Sequence, residues 1–286
     1  MRVEPQHPPR PLRVPRRYLE SRPPDEPPSI SIVTPSYNQG TYLEQTIRSV
    51  LDQGYPSLEY IVRDGGSRDS SRAILERYGA RLHHWSSAPD SGHADAINRG
   101  MAQAGGEILA YLNSDDLLLP GSLAYVGSYF VRHPEVDVIY GHRVMIDRSG
   151  AEIGRWVMPR HDDDVLAWND YVPQETLFWR RRIWEACGGF VSEEFPFSLD
   201  WDLLLRFRRA GASFSRVPRF IGAFRVHEAQ KTTRHIATRG ERDIRTLRRR
   251  ELDRDPTPSE LRRHVAAYLR RHIVLDRLYR AGVLRY

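Results

Sequence analysis

A chain of 286 residues, 40% hydrophobic and 10% aromatic, has material for one large or two modest domains with a real core. A lone cysteine, Cys187, excludes an internal disulfide, no apolar run reaches the ~20 residues of a membrane-spanning helix, and the N-terminus lacks a signal-peptide core, so a soluble cytosolic protein is expected. The net charge of +6 is uneven: Arg239 to Tyr286 hold 14 Arg against 7 acids, a surplus of +7 that leaves about −1 elsewhere.

Residues 1–28 carry nine prolines and six Arg. Such a segment buries too little to offset its ordering entropy and reads as a disordered or loosely draped extension. The folded part opens at Ser29-Ile30-Ser31-Ile32-Val33-Thr34, a β-branched run suited to a buried strand. Gly40 to Gln53 has helical spacing, with Leu43, Ile47, Val50 and Leu51 on one face. Leu58 to Arg63 reads as a strand, Asp69 to Tyr78 as a helix, Arg81 to Trp85 as a strand and His93 to Ala104 as a helix. Glu107 to Leu112 is the fourth strand. This alternation predicts an α/β fold with a parallel sheet covered on both faces, whose ligands collect at the carboxyl ends of the strands.

Three polar loops fall at that edge: Pro35-Ser36-Tyr37-Asn38, Asp64-Gly65-Gly66-Ser67 and Ser114-Asp115-Asp116. Paired acids at a strand end suit a hard divalent cation, Mg²⁺ or Mn²⁺, which takes one or two carboxylates and leaves its other positions to phosphate and water. Ser91-Gly92-His93-Ala94-Asp95 opens a helix whose free N–H groups favour a diphosphate, with Asp95 as cap or as ligand contact. Beyond residue 135 the pattern becomes a mixed sheet. Short strands are expected at 136–140, 143–146, 152–157, 176–179, 213–217 and 220–226, with helices at 162–168 and 199–210. Two Arg-rich helices, 239–250 and 259–281, close the chain.

Residues 29–121 resemble the nucleotide-sugar half of a family 2 glycosyltransferase of the GT-A fold. The resemblance rests on Ile32-Val33-Thr34-Pro35-Ser36-Tyr37-Asn38, Asp64-Gly65-Gly66-Ser67-Arg68-Asp69 and Asn113-Ser114-Asp115-Asp116. It runs on to about residue 232 through Gly188-Gly189-Phe190, Asp200-Trp201-Asp202 and Arg225-Val226-His227. It implies a donor half at 29–121, an acceptor half at 122–232 and a basic helical tail at 233–286. Thr34, Tyr37 and Asn38 would line base and ribose, and Asp64 would accept from the imide N–H of a pyrimidine. Asn113, where the family's metal motif has its first Asp, would reach a ribose hydroxyl. Ser114 would border the donor, Asp115 would hold the metal with Asp116 as neighbour, and His227 would complete the metal shell or serve only structure.

The resemblance further implies metal-dependent, inverting transfer from a nucleoside-diphosphate sugar, a UDP-sugar first, to a glycan or polyprenyl-linked acceptor. Asp200 would be the base, with Asp202 the competing candidate, although Leu199 replaces the acid that commonly precedes it. Gln174 and Glu175 would shape the acceptor side. Trp201 and Trp179 would stack on sugar or fill the core. The tail, with Leu261, Val265, Tyr268, Leu269, Leu275 and Tyr279 among arginines, suits an anionic membrane surface at the inner face of the cell membrane or packing on the domain. A nucleotidyltransferase would open on a Gly-rich basic loop, yet this chain has Pro35-Ser36-Tyr37-Asn38 there and one lysine, Lys231. A degenerate, binding-only protein at a membrane-associated glycan assembly is the alternative that Asn113 and Leu199 invite. No nucleic-acid partner is expected.

Overall fold

The computed structural model describes residues 4–228 and 239–286. The expected domain end at 232, Lys231 and the tail residues 233–238 lie outside the described residues. β1 (Ile30–Ser36), β2 (Leu58–Asp64), β3 (His84–Ser87) and β4 (Ile108–Tyr111) run parallel in the order β3-β2-β1-β4. Side chains alternate between two faces, as the period of a strand requires. Ile30, Ile32, Tyr60, Val62, Ile108 and Ala110 meet α2 (Leu43–Leu51), α3 (Ser71–Tyr78) and α5 (Ser122–Arg132). Val33, Ile61, Leu109 and Tyr111 meet α4 (His93–Met101) and α8 (Leu199–Arg209). Ser36 pairs with Asp64, and Asp64 with Ser87, so the loops after these strands leave the sheet at one edge.

The sheet continues from β4 through antiparallel β8 (Phe178–Arg180) to β6 (Val138–Ile146), β9 (Phe214–Arg225) and β5 (Leu117–Leu118). β7 (Glu152–Trp156) pairs with the far half of β6. The four short strands expected at 136–146 and 213–226 are therefore two long ones. Gly141 and Pro218 fall between the expected pieces, and there the pairing shifts register, between Tyr140 and His142 and again between His142 and Arg143, before it resumes. A side chain at Gly141 would meet the Arg219 carbonyl at 2.6 Å, so glycine is what lets β9 come this close. The helix α5, which the sequence reading lacked, contains poor helix formers such as Gly127 and Ser128. It is held by burial of Leu123, Val126 and Phe130.

The N-terminal extension is draped along the sheet rather than disordered over its described residues. Arg10 and Glu152 exchange both backbone hydrogen bonds, at 3.0 and 2.7 Å, and Gln6 N–H donates to the Ile153 carbonyl at 2.8 Å. After α1 (Arg16–Leu19), Tyr18 is 1% exposed, accepts from the Phe220 N–H at 3.0 Å and carries the Arg219 guanidinium 3.8 Å from its ring centre. Composition understates such a strap, because backbone pairing and a single buried aromatic do not register in an average. Tyr18→Ala is expected to cost about 3–5 kcal/mol, as other buried aromatic truncations do. Urea unfolding measures it, and an unchanged midpoint would show the strap to be dispensable.

The tail forms α9 (Glu241–Leu252) and α10 (Pro258–Arg280), the latter started by a Thr257–Glu260 capping box. It packs on the domain through Leu247, fully buried, and Tyr268, whose ring lies 4.3 Å from that of Tyr171. Trp168 of α6 (Asp163–Trp168) stacks on His264 at 3.8 Å. Leu269, Ile273, Val274 and Leu278 remain exposed on the outer side of α10.

Candidate active site

The loops after β1, β2 and β4, with the start of α4, enclose one cleft of about 770 Å³. Pro35, Ser36 and Tyr37 line it from the first loop, Gly65, Gly66 and Arg68 from the second, and Asn113 to Asp116 from the fourth strand's loop. Ser91, Gly92 and His93 bring in the α4 N-terminus, whose helix dipole favours an anion. The Thr46 hydroxyl donates to the carbonyls of Ser114 and Asp116 at 2.9 and 2.8 Å, which fixes the acidic loop.

The Asp115 carboxylate lies 3.0 Å from His227 Nε2, although 112 residues separate the two. Asp116 is 1% exposed and faces inward: Oδ1 accepts from the Arg225 N–H at 2.9 Å, while Oδ2 meets the Asn113 amide at 3.5 Å. Burial raises the Asp116 carboxyl well above the usual range, and the charges of Asp115 and Glu175 add to that. Arg225, fully buried, also holds the carbonyls of Asp115, Asp147 and Arg148 and the Gln45 side chain. One guanidinium thus pins two loops and α2. A cation in an apolar strand is the signal that could have marked it.

Several expected donor contacts fall elsewhere. Thr34 is buried within β1 and bonds Tyr60 at 3.0 Å, because its place in the strand turns it from the cleft. The Asp64 carboxylate is 2% exposed and spends its oxygens on Ser67 N–H, Ser67 hydroxyl and Ser87 hydroxyl, at 2.9, 2.5 and 2.6 Å. In this arrangement it braces the second loop. Asn38, left-handed at φ 52°, ties the first loop to the second by accepting from the Arg68 N–H at 3.0 Å and donating its own N–H to Ser67 at 2.7 Å. Asp95, in the first turn of α4, accepts from the Ser91 N–H at 2.9 Å, a bond that holds its carboxyl below the usual range, and pairs with Arg99. Tyr37, 61% exposed at the rim, and Asn113 do face the cleft.

On the other side, Gln174 joins the cleft indirectly, accepting from Asn113 at 3.1 Å and donating to the Tyr111 carbonyl at 2.8 Å. Glu175 is 2% exposed and makes a bidentate pair with Arg143, at 2.9 and 2.5 Å. Trp201, fully buried, donates to the Leu166 carbonyl, and Trp179 is equally buried; both are core. Asp202 is paired with Arg206 and Arg250.

Asp200 is half-buried at the start of α8, outside the cleft's lining, with Oδ1 accepting from the Trp201 N–H at 2.9 Å. Burial raises its carboxyl above the usual range, and Arg143 opposes that shift. Asp170, which sequence reading missed, is raised by burial and by the Asp200 charge, tempered by the surface it keeps open to water. Arg143 is felt by Asp116, Asp170 and Asp200 alike, so the Arg143–Glu175 pair links the acidic loop to the candidate base. His93 was also missed as a side chain; its Nε2 lies 3.0 Å from Asn113 Oδ1 at the cleft.

Among the described residues no three His, Cys, Asp or Glu side chains form a metal cage. The Asp115–His227 pair nevertheless fits a cation that draws its remaining ligands from a diphosphate and water.

The glycosyl transferase family 2 model matches residues 31–226, more than half of the chain. The chain belongs to glycosyl transferase family 2. It is 31% identical over 182 residues to an uncharacterized glycosyltransferase of Mycobacterium tuberculosis, covering 63% of this chain and 68% of that one. It is 29% identical over 195 residues to the O-antigen biosynthesis protein RfbC of Myxococcus xanthus, covering 66% of this chain but 15% of that one. Solved neighbours include TarS 1–349 of Staphylococcus aureus in complex with UDP-GlcNAc, with TM-score 0.62, 18% identity and coverage of 87% and 74%. Another is the mannosyltransferase PcManGT of Pyrobaculum calidifontis in complex with GDP-Man and Mn²⁺, with TM-score 0.63, 17% identity and coverage of 88% and 73%. The α/β fold of this transferase is thus GT-A, and its activity is glycosyl transfer from a nucleotide sugar. Among the described residues no helix is long and apolar enough to cross a membrane.

Proposed function

We propose that this transferase moves a sugar from a UDP-sugar to a hydroxyl of a glycan or polyprenyl-linked glycan, with inversion and with Mn²⁺ or Mg²⁺ held by Asp115 and His227. The observation that carries the reading is the single cleft in which the three strand-end loops and the α4 N-terminus surround that acid–imidazole pair. A divalent cation bound there would neutralise charge on the departing diphosphate. The α4 N–H groups receive phosphate oxygens, Tyr37 covers the base, and Asn113, oriented by His93 and Gln174, meets the ribose. Asp200, raised by burial, takes the proton of the acceptor hydroxyl as the sugar transfers in one displacement. The neighbours' UDP-GlcNAc, GDP-Man and Mn²⁺ and the O-antigen relative support the donor, metal and glycan assignments.

The binding-only alternative loses its footing once both departures have structural roles. Asn113 is held by His93 and Gln174, and Leu199 is 3% exposed in the core. Donor turnover with Mn²⁺ or Mg²⁺ against a chelator tests the reading, after a thermal-shift screen of UDP-, GDP- and dTDP-sugars. Equal turnover in chelator would remove the metal. A peripheral membrane contact is part of the same proposal, because exposed Ile273 and Val274 lie among Arg270, Arg271 and Arg277 on α10. Ile273→Asp with Val274→Asp is expected to lower co-sedimentation with phosphatidylglycerol vesicles about tenfold or more. Unchanged sedimentation would leave the tail a packing element only.

A further inference from the structure

The strap and the end of the tail, both outside the family match, close over β7 around a second cavity of about 490 Å³. It shares no lining residue with the nucleotide-sugar cleft. Five guanidiniums border it: Arg10 and Arg17 from the strap, Arg155 from β7, and Arg280 and Arg285 from the tail. Two carboxylates answer them. Glu152 takes Arg10 at 2.6 Å and Arg155 at 2.7 Å, with His7 at 3.5 Å, and Asp276 takes Arg280 at 2.7 Å. Arg155 is further committed to the Tyr279 hydroxyl and the Arg13 carbonyl.

Arg17 and Arg285 differ from these three. Neither guanidinium donates to a described residue, and Arg17 lies 5.7 Å from the Tyr18 ring centre. The side chains bordering the cavity therefore carry a surplus of positive charge even after Glu152 and Asp276 are counted. Like charges gathered in a partly enclosed space repel, and an anion placed among them removes that cost. Guanidinium forks match the spacing of phosphate oxygens and bind them in pairs.

We propose that this cavity binds a phosphate-bearing anion, a phosphomonoester or diphosphate, at a site separate from the donor cleft. The anion is either a free phosphate compound or the headgroup of a lipid, and the same arginines would hold either. The test is calorimetric titration of the full chain, in chelator, with inorganic pyrophosphate and, separately, with soluble dioctanoyl phosphatidic acid.

Two double variants are compared, each removing the same charge from exposed positions: Arg17→Gln with Arg285→Gln at the cavity, and Arg262→Gln with Arg263→Gln elsewhere on α10. The cavity pair is expected to weaken binding about tenfold or more, and the α10 pair to leave it within about twofold. Pyrophosphate binding that follows this pattern identifies a free phosphate ligand, and phosphatidic acid binding alone that follows it identifies a lipid headgroup. Equal losses in the two doubles would reduce the effect to diffuse charge and overturn the proposal. So would the absence of binding by either probe. Donor binding in the cleft, measured on the same variants, reports separately on the transferase reading.

Discussion

Asp200→Asn is expected to lower kcat by about 10²–10⁴, the usual contribution of a positioned base, while the donor's dissociation constant stays unchanged. The substitution is mild on the fold. Oδ1 of Asp200 accepts one hydrogen bond, from the Trp201 N–H, and an asparagine oxygen accepts it as well. What is lost is the lone pair that takes the acceptor's proton. The pH profile offers an independent readout, because burial raises this carboxyl. Only the ionised form acts as base, so activity falls as pH drops through a limb that lies above the ~3.9 of an ordinary aspartate. Normal turnover by Asp200→Asn would remove it as the base. The product's anomeric configuration, read by NMR, adds a second check. Retention would point to a carboxylate nucleophile and remove the single displacement.

Asp115→Ala is expected to abolish the metal-dependent part of UDP binding, a loss of about a hundredfold or more. Groups that merely support a metal ligand cost ten- to hundredfold, and a direct ligand costs at least as much. His227→Ala should fall in the lower part of that range, since the imidazole supplies one donor and no charge. Titration of UDP with and without Mn²⁺ measures both. Affinity that still rises with Mn²⁺ in Asp115→Ala would place the cation elsewhere. The side chain has one bonded partner among the described residues, His227, so its loss leaves the buried Asp116–Arg225 anchor intact.

Much of the parallel half was legible because period and punctuation agree there: Ile30, Ile32 and Val33, then Tyr60, Ile61 and Val62, sort onto two faces as a buried strand demands. The loops that bound the cleft were legible for the same reason, since a strand's end is where its apolar run stops. Which way each polar side chain turns was not. Asp64, Thr34 and Glu175 carry the right chemistry at the right positions, yet their hydrogen-bond partners, Ser87, Tyr60 and Arg143, come from other strands. A linear pattern holds no trace of those partners. The Asp115–His227 contact was readable only through resemblance, because 112 residues intervene. How the strap is held was not legible, because its hold is made by one tyrosine and by backbone groups common to every residue type.

The strap also dictates a timetable. Tyr18 meets Phe220 across 202 residues of chain, and Arg10 meets Glu152 across 142. As the polypeptide leaves the ribosome, the strap meets its first partner only with β7, and Tyr18 its seat only with β9. Closing so large a loop is entropically slow, so the central sheet assembles first and the strap is fastened onto it afterwards.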